Sequence, residues 1–172
     1  MLFFSFGVNA QNFYYSPEGK AFMKVSTEKV LIQFKPGTDY EAQKQILSSF
    51  KEIAPLTRTD VLPSPKLTIA PLNNVNTQEA VYDLLEKIAS NDQVIYANHF
   101  LAHKDGTLHG IMDRVLVGLK NLSDYDAFEL AMKQNPSVHS FERNEFEPFL
   151  MEVKVQGEKN ALEVANTLHE SG

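Results

Sequence analysis

Cysteine is missing altogether from the 172 residues, which excludes disulfide staples, thiolate metal sites, cysteine nucleophiles and lipoprotein acylation together. Stability therefore has to come from packed apolar cores. Basic residues are also short: 16 Lys and Arg stand against 22 Asp and Glu, a net charge of −6. That is the wrong sign for gripping a phosphate backbone, and no nucleic-acid partner is expected. No apolar run approaches the ~20 residues of a membrane span, so no span is expected either. Nucleophile elbow, P-loop, dinucleotide fingerprint, zincin helix and calcium loop are all missing. This inventory predicts a non-enzymatic chain without a cofactor.

What remains has an ordinary globular composition, 43% hydrophobic with eight Gly and eight Pro, enough for one average domain or two small ones. Its charge is uneven. Residues 1–104 carry ten basic and ten acidic side chains, whereas 105–172 carry six and twelve. The surplus reads as a solvated acidic face. The opening Met1-Leu2-Phe3-Phe4-Ser5-Phe6-Gly7-Val8 is apolar, and Val8-Asn9-Ala10 offers small residues at the −3 and −1 positions of a signal-peptidase site, although no Lys or Arg precedes Lys20. Residues 1–11 read as the remnant of an export signal, with a secreted or cell-envelope location implied. Residues 12–29 read as an N-terminal arm.

Self-similarity organises the rest. Val30-Leu31-Ile32-Gln33-Phe34-Lys35-Pro36-Gly37-Thr38-Asp39-Tyr40-Glu41-Ala42 recurs as Val115-Leu116-Val117-Gly118-Leu119-Lys120-Asn121-Leu122-Ser123-Asp124-Tyr125-Asp126-Ala127, an offset of 85 with six identities in thirteen positions. A second echo pairs 76–81 with 160–165 at an offset of 84. In the first copy, Val30 to Lys35 reads as a strand closed by Pro36-Gly37. Thr38 or Asp39 caps a helix whose stripe is Tyr40, Gln43, Ile46, Leu47 and Phe50. Ile53–Leu62 and Lys66–Leu72 read as strands joined at Pro63-Ser64-Pro65. Asn76 and Glu79 form a capping box ahead of Val81, Leu84, Leu85 and Ile88, and Val94–Leu101 closes the unit as a strand.

The second copy follows the same script: strand 114–120, a helix from Ser123 to Gln134 with Ser123 and Asp126 as capping box, strands 138–147 and 149–155, and a helix over 160–170. The expected fold is α+β, two tandem ferredoxin-like βαββαβ units over 30–104 and 105–172. The offset places the last strand of the second unit at about 179–186, past Gly172. Its first strand is left with an open edge. Either the chain continues, or another chain supplies the strand, by strand exchange in a dimer among other routes.

Two constellations bear on chemistry. His99, His103 and His109, with Asp105 and Asp113 nearby, are metal-ligand types, but their spacing matches no standard site and Asp105-Gly106 reads first as a β-turn between the two units. No metal is expected. Asp124 with Asp126 falls at a helix N-terminus, where acids complement the dipole, and Glu142, Glu145 and Glu147 lie along a strand pair as a solvated face.

Three runs carry a family resemblance: Asn12-Phe13-Tyr14-Tyr15-Ser16-Pro17-Glu18-Gly19-Lys20, the strand-turn Val30 to Gly37, and Asn160-Ala161-Leu162-Glu163-Val164-Ala165-Asn166-Thr167-Leu168-His169-Glu170-Ser171-Gly172. Together they resemble the N-terminal prosegments of secreted bacterial subtilisin-like serine proteases. In that family a strand of the type L-F-x-x-A-E-P-D/N follows, then the catalytic domain. The resemblance implies an intramolecular chaperone and temporary inhibitor, a propeptide that binds its protease domain by sheet packing and strand addition. Val94-Ile95-Tyr96-Ala97-Asn98-His99 resembles the family's closing strand, with Asn98-His99 where Glu-Pro is usual. Tyr96, Ala97, Asn98 and His99 are accordingly the expected protease-binding residues. The alternative is a tandem ferredoxin-like, ACT-like module that senses a small molecule between its units, or another protein-interaction module.

Overall fold

The computed structural model describes residues 12–62, 67–156 and 160–171. The export-signal reading of 1–11 and the proline turn at 63–65 lie outside them. Within them the fold is mixed α+β, with four α-helices and nine strands, and every strand pair is antiparallel. The strands are β1 (Phe13–Ser16), β2 (Gly19–Phe22), β3 (Lys24–Phe34), β4 (Leu67–Pro71), β5 (Val94–Ala102), β6 (Leu108–Gly110), β7 (Arg114–Gly118), β8 (Val138–Arg143) and β9 (Leu150–Val155). The helices are α1 (Tyr40–Leu47), α2 (Gln78–Ala89), α3 (Tyr125–Gln134) and α4 (Ala161–Ser171). Three sheets result, ordered β1-β2, β4-β3-β5-β6 and β7-β9-β8. No helix among the described residues is long and apolar enough to cross a membrane.

The 85-residue repeat survives folding in detail. Helix α1 begins at Tyr40 and α3 at Tyr125. Arg58 lies over the Tyr40 ring at 4.7 Å, and Arg143, 85 residues on, lies over Tyr125 at 4.4 Å. Each guanidinium lies over an aromatic ring at the first residue of its helix, Arg58 from a 3₁₀ turn and Arg143 from the end of β8. Asp39 caps α1 by accepting from the Ala42 N–H at 2.9 Å.

Several expected boundaries move. The first strand starts at Lys24, not Val30, because Val25 and Leu101 pair across β3 and β5 beyond a bulge. Residues 53–62 form no regular strand. They touch β4 and its end through the isolated bridges Ile53–Leu72 and Val61–Thr68, separated by a 3₁₀ turn at Arg58–Asp60. Asp105-Gly106 does turn the chain, with Gly106 at φ +85, but it joins β5 to the short β6 in the same sheet and not to the second unit. The N-cap of α2 is Thr77, one residue after Asn76. Ser123 and Asp126 form no capping box, since Asn121 and Asp124 satisfy the preceding 3₁₀ turn instead. The box in the second half lies at Asn160 and Glu163, whose side chains and backbone N–H groups bond reciprocally at 2.9 and 3.1 Å.

The main core lies between the four-stranded sheet and α1 and α2. Val30, Ile32 and Ala70 from the sheet meet Leu47, Val81, Leu84 and Ile88 from the helices, each almost fully buried. Gln43, the one polar residue in the stripe of α1, is buried with them; its amide accepts from Thr68 Oγ1 at 2.6 Å and donates to the Thr38 carbonyl at 2.9 Å. A second cluster of Leu31, Leu67 and Phe100, flanked by Leu108 and Met112, covers the other face of this sheet.

Candidate functional site

Antiparallel strands send alternate side chains to opposite faces, and this parity defines the bare face of the β7-β9-β8 sheet. Val115, Val117, Met151 and Val153 point towards α3 and α4. The register Arg114–Lys154, Leu116–Glu152 and Gly118–Leu150 then puts those six residues on the opposite side, where no helix packs among the described residues. Leu116 is 60% exposed there, although an apolar residue in mid-strand usually gains by burial. The Arg114 guanidinium donates to Asp113 at 3.1 Å and to Glu152 at 2.6 Å. Burial alone would lower its pKa, but the bond and charge of Asp113, with Glu152, hold it above the usual value.

At one end of this face the first unit closes over it. Gln33, Ile95 and Tyr96 face Arg114, Ser140 and Lys154 across a cavity of about 480 Å³. The Tyr96 hydroxyl is buried without a hydrogen-bond partner. Burial pushes its pKa up to about 12, with the Asp113 charge adding to the shift.

The four residues expected to bind a protease sit inside the four-stranded sheet. Tyr96, Ala97, Asn98 and His99 pair with Gln33, Ile32, Leu31 and Val30 of β3. Ala97 packs on the main core. His99 is 4% exposed, meets the Tyr82 ring of α2 edge-on at 5.4 Å, and leaves Nε2 without a partner. Burial pushes its pKa down to about 4, so the imidazole is neutral at pH 7.

His103 and His109 do come together, ring centroids 4.8 Å apart, with Tyr14 against His103 at 5.4 Å. They border a cavity of about 450 Å³ whose floor includes Leu101, Met23 and Leu162. His99 stands four residues before His103, within β5 and against Tyr82. Among the described residues no group of three or more His, Asp or Glu is arranged to hold a metal ion. Asp105 serves the turn: its carboxylate accepts from the Thr107 N–H at 2.9 Å, and that bond holds its pKa below the ordinary range. Glu142 is an exposed residue of β8 facing Glu152, and Asp124 bonds the Asn121 N–H.

Sequence reasoning passed over Leu116 as a surface residue and passed over the cavity-lining Gln33, Arg114 and Lys154. The signal for the first was present, since alternation from Arg114 to Gly118 assigns Leu116 to the face opposite Val115 and Val117. The cavity carries no local signal, because its walls come from segments around residues 33, 95, 114, 140 and 154. Comparison with family models, with curated proteins and with solved structures finds no match for this chain.

Proposed function

We propose that this chain is a non-catalytic prosegment, a chaperone and inhibitor module of a secreted subtilisin-like serine protease, and that the bare face of the β7-β9-β8 sheet meets the protease domain. The observation that carries the reading is Leu116, held 60% exposed at the middle of the edge strand of a sheet whose other face is covered by helices. An apolar residue fixed on a helix-free face is what sheet packing on a partner requires. The strand orders support the fold that the prosegment reading implies. In the first half the split βαβ positions run 4-1-3 as β5-β3-β4, with position 2 reduced to two bridges; in the second they run 1-3-2 as β7-β9-β8. Both halves are thus ferredoxin-like units in this proposal. In this proposal the contact with the protease lies on β7 and β9 and not at Tyr96–His99, which pair with β3 and of which His99 is buried.

The test is inhibition of a subtilisin-like catalytic domain encoded in the same genome, read with a fluorogenic peptide. Saturable inhibition by the wild-type chain, weakened about tenfold or more by Leu116→Glu, is expected from burying a charge in an apolar contact. No binding by the wild-type chain overturns the proposal.

The cavity between Tyr96 and Lys154 favours a second reading, an ACT-like sensor that holds an amino acid between its units. Lys154 and Ser140 offer donors to a carboxylate and Asp113 an acceptor for an ammonium group. A thermal-shift screen in which no amino acid raises the Tm removes it.

A further inference from the structure

Sheet edges expose backbone donors and acceptors, and proteins usually guard them. Three edges here are guarded. The outer edge of β4 is met by the bridges at Ile53 and Val61 and ends in Pro71. That of β8 is broken by a register shift between Val138 and Ser140 and carries Glu142 and Arg143. β6 is three residues long. The outer edge of β7 has no bridging segment, proline or register shift and a single charge, Arg114, which Asp113 and Glu152 already pair, and no described strand pairs with it.

Hydrogen-bond parity says which groups that edge presents. The Leu119 N–H donates to the Phe149 carbonyl at 2.8 Å, and the Val155 N–H donates to the Asp113 carbonyl at 2.8 Å. Directly opposed residues in an antiparallel pair alternate between bonded and non-bonded. Residues 113, 115, 117 and 119 therefore turn their backbone groups to β9, and Arg114, Leu116 and Gly118 turn theirs to the open edge.

We propose that two copies of this chain pair edge to edge through β7, antiparallel about a two-fold axis at Leu116. In that register Leu116 faces its own counterpart, and Arg114 faces Gly118 in both directions. All three opposed pairs are of the bonded kind, so every edge-facing N–H and C=O in the strand finds a partner. The side chains agree with the backbone. The two Leu116 side chains form a cross-strand apolar pair on the bare face, and Val115 lies opposite Val117 on the helix side. The one charge in the strand meets a glycine instead of its own kind, and Arg114 is already neutralised by Asp113 and Glu152. A closed two-fold dimer with a continuous six-stranded sheet β8-β9-β7-β7-β9-β8 results. It does not depend on the prosegment reading, because it concerns the free chain.

Sedimentation velocity from about 5 µM to about 1 mM tests it, a range suited to a small interface. The weight-average mass should rise from 19.4 kDa towards twice that value. Leu116→Pro removes an edge-facing N–H that β9 does not use, and Leu116→Lys sets like charges opposite each other. Both variants should stay at monomer mass with the wild-type circular dichroism; should the proline variant unfold, the lysine variant still decides. Wild-type mass unchanged over the whole range overturns the proposal, as does a dimer that persists in the lysine variant. Amide exchange adds a third reading: a Leu116 N–H protected in a wild-type monomer means that another segment covers the edge, which also overturns it. Protease inhibition measured at monomer concentrations separates this result from the fate of the prosegment proposal.

Discussion

Leu31 and Leu116 occupy the same position of the repeat, 85 residues apart, and differ completely in environment: Leu31 is 4% exposed and Leu116 60%. Both sit second in the thirteen-residue echo, and both point away from the helices of their own half. The difference lies in what covers that face. In the first half β5 lies beside β3 and brings Phe100 over Leu31, and Leu108 and Met112 extend the cover. In the second half β9 lies on one side of β7, and no described strand lies along its outer edge, where β5 would stand. The same local sequence thus yields a two-faced core in one copy and a one-faced sheet in the other. A hydrophobic residue in a repeat is core or contact surface according to its neighbours, not its own pattern.

The largest effect that would break this comparison is mutational. Leu31→Ala should cost about 3–4 kcal/mol, as a buried Leu truncation does, and Leu116→Ala less than about 0.5 kcal/mol in the monomer, as an exposed one does. Urea denaturation of the two variants measures both, and equal costs would show that Leu116 is buried after all. Acid comes next. Because burial lowers the His99 pKa from 6.5 to about 4, the unfolded chain binds the extra proton first as pH falls. The stability contributed is complete above pH 6.5 and is lost between about 6.5 and 4, about 3 kcal/mol in all. His99→Leu should flatten that part of the stability profile, and hydrogen exchange at pH 5 should rise more in the first half than in the second. No change in the acid profile of His99→Leu would place the titration elsewhere.

A smaller effect separates the two cores by their polarity. Gln43 and Thr68 are buried and bonded to each other; 85 residues on stand Phe128 and Val153, the latter fully buried. Thr68→Val alone leaves the Gln43 amide oxygen unsatisfied and should cost about 2 kcal/mol. Adding Gln43→Leu should restore much of the loss, since the second copy already uses apolar residues at both places. A double-mutant cycle with no coupling would mean that the amide turns to another partner.

Much of this was legible in the sequence, and the failures have physical reasons. The repeat, the helix start at Tyr40, the buried stripe of α2 and the strand at Val94 follow from periodicity and caps, which are local; α3 begins at Tyr125 and not at the expected Ser123, because a 3₁₀ turn at Leu122–Asp124 precedes it. Residues 53–58 and 138–143 also sit at equivalent places, but only β8 became a regular strand, because pairing depends on the partner segment as well as on β propensity. For the candidate site, the open edge of β7 was legible from counting elements. That Tyr96 to His99 belong to a strand beside β3 was legible too; that a further short strand, β6, pairs with the end of β5 was not, since no strand was expected over 108–110. The export-signal reading of residues 1–11 falls outside the described residues.

The smallest expected effect concerns a joint that no local pattern announces. The β1-β2 hairpin packs on α4, some 150 residues away. Asn166 Nδ2 donates to the Phe13 carbonyl at 2.7 Å, Tyr15 stacks on His169 at 4.1 Å, and Tyr15 and Lys20 both bond Glu170. The Tyr15 bond, then that of Lys20, keeps the Glu170 carboxyl below its ordinary pKa. These contacts are exposed or half-exposed, so water replaces each at little cost, and Asn166→Ala should change stability by about 0.5–1 kcal/mol. Its sharper readout is limited proteolysis at the Pro17-Glu18 turn, which should quicken while the denaturation midpoint barely moves. Because α4 is also the helix that covers β7 and β9, a midpoint that falls as far as it does for Thr68→Val would mean that the hairpin supports the second sheet through α4. The one-faced half would then owe part of its stability to the N-terminal arm, and the contrast with the first half would be one of support as well as of cover.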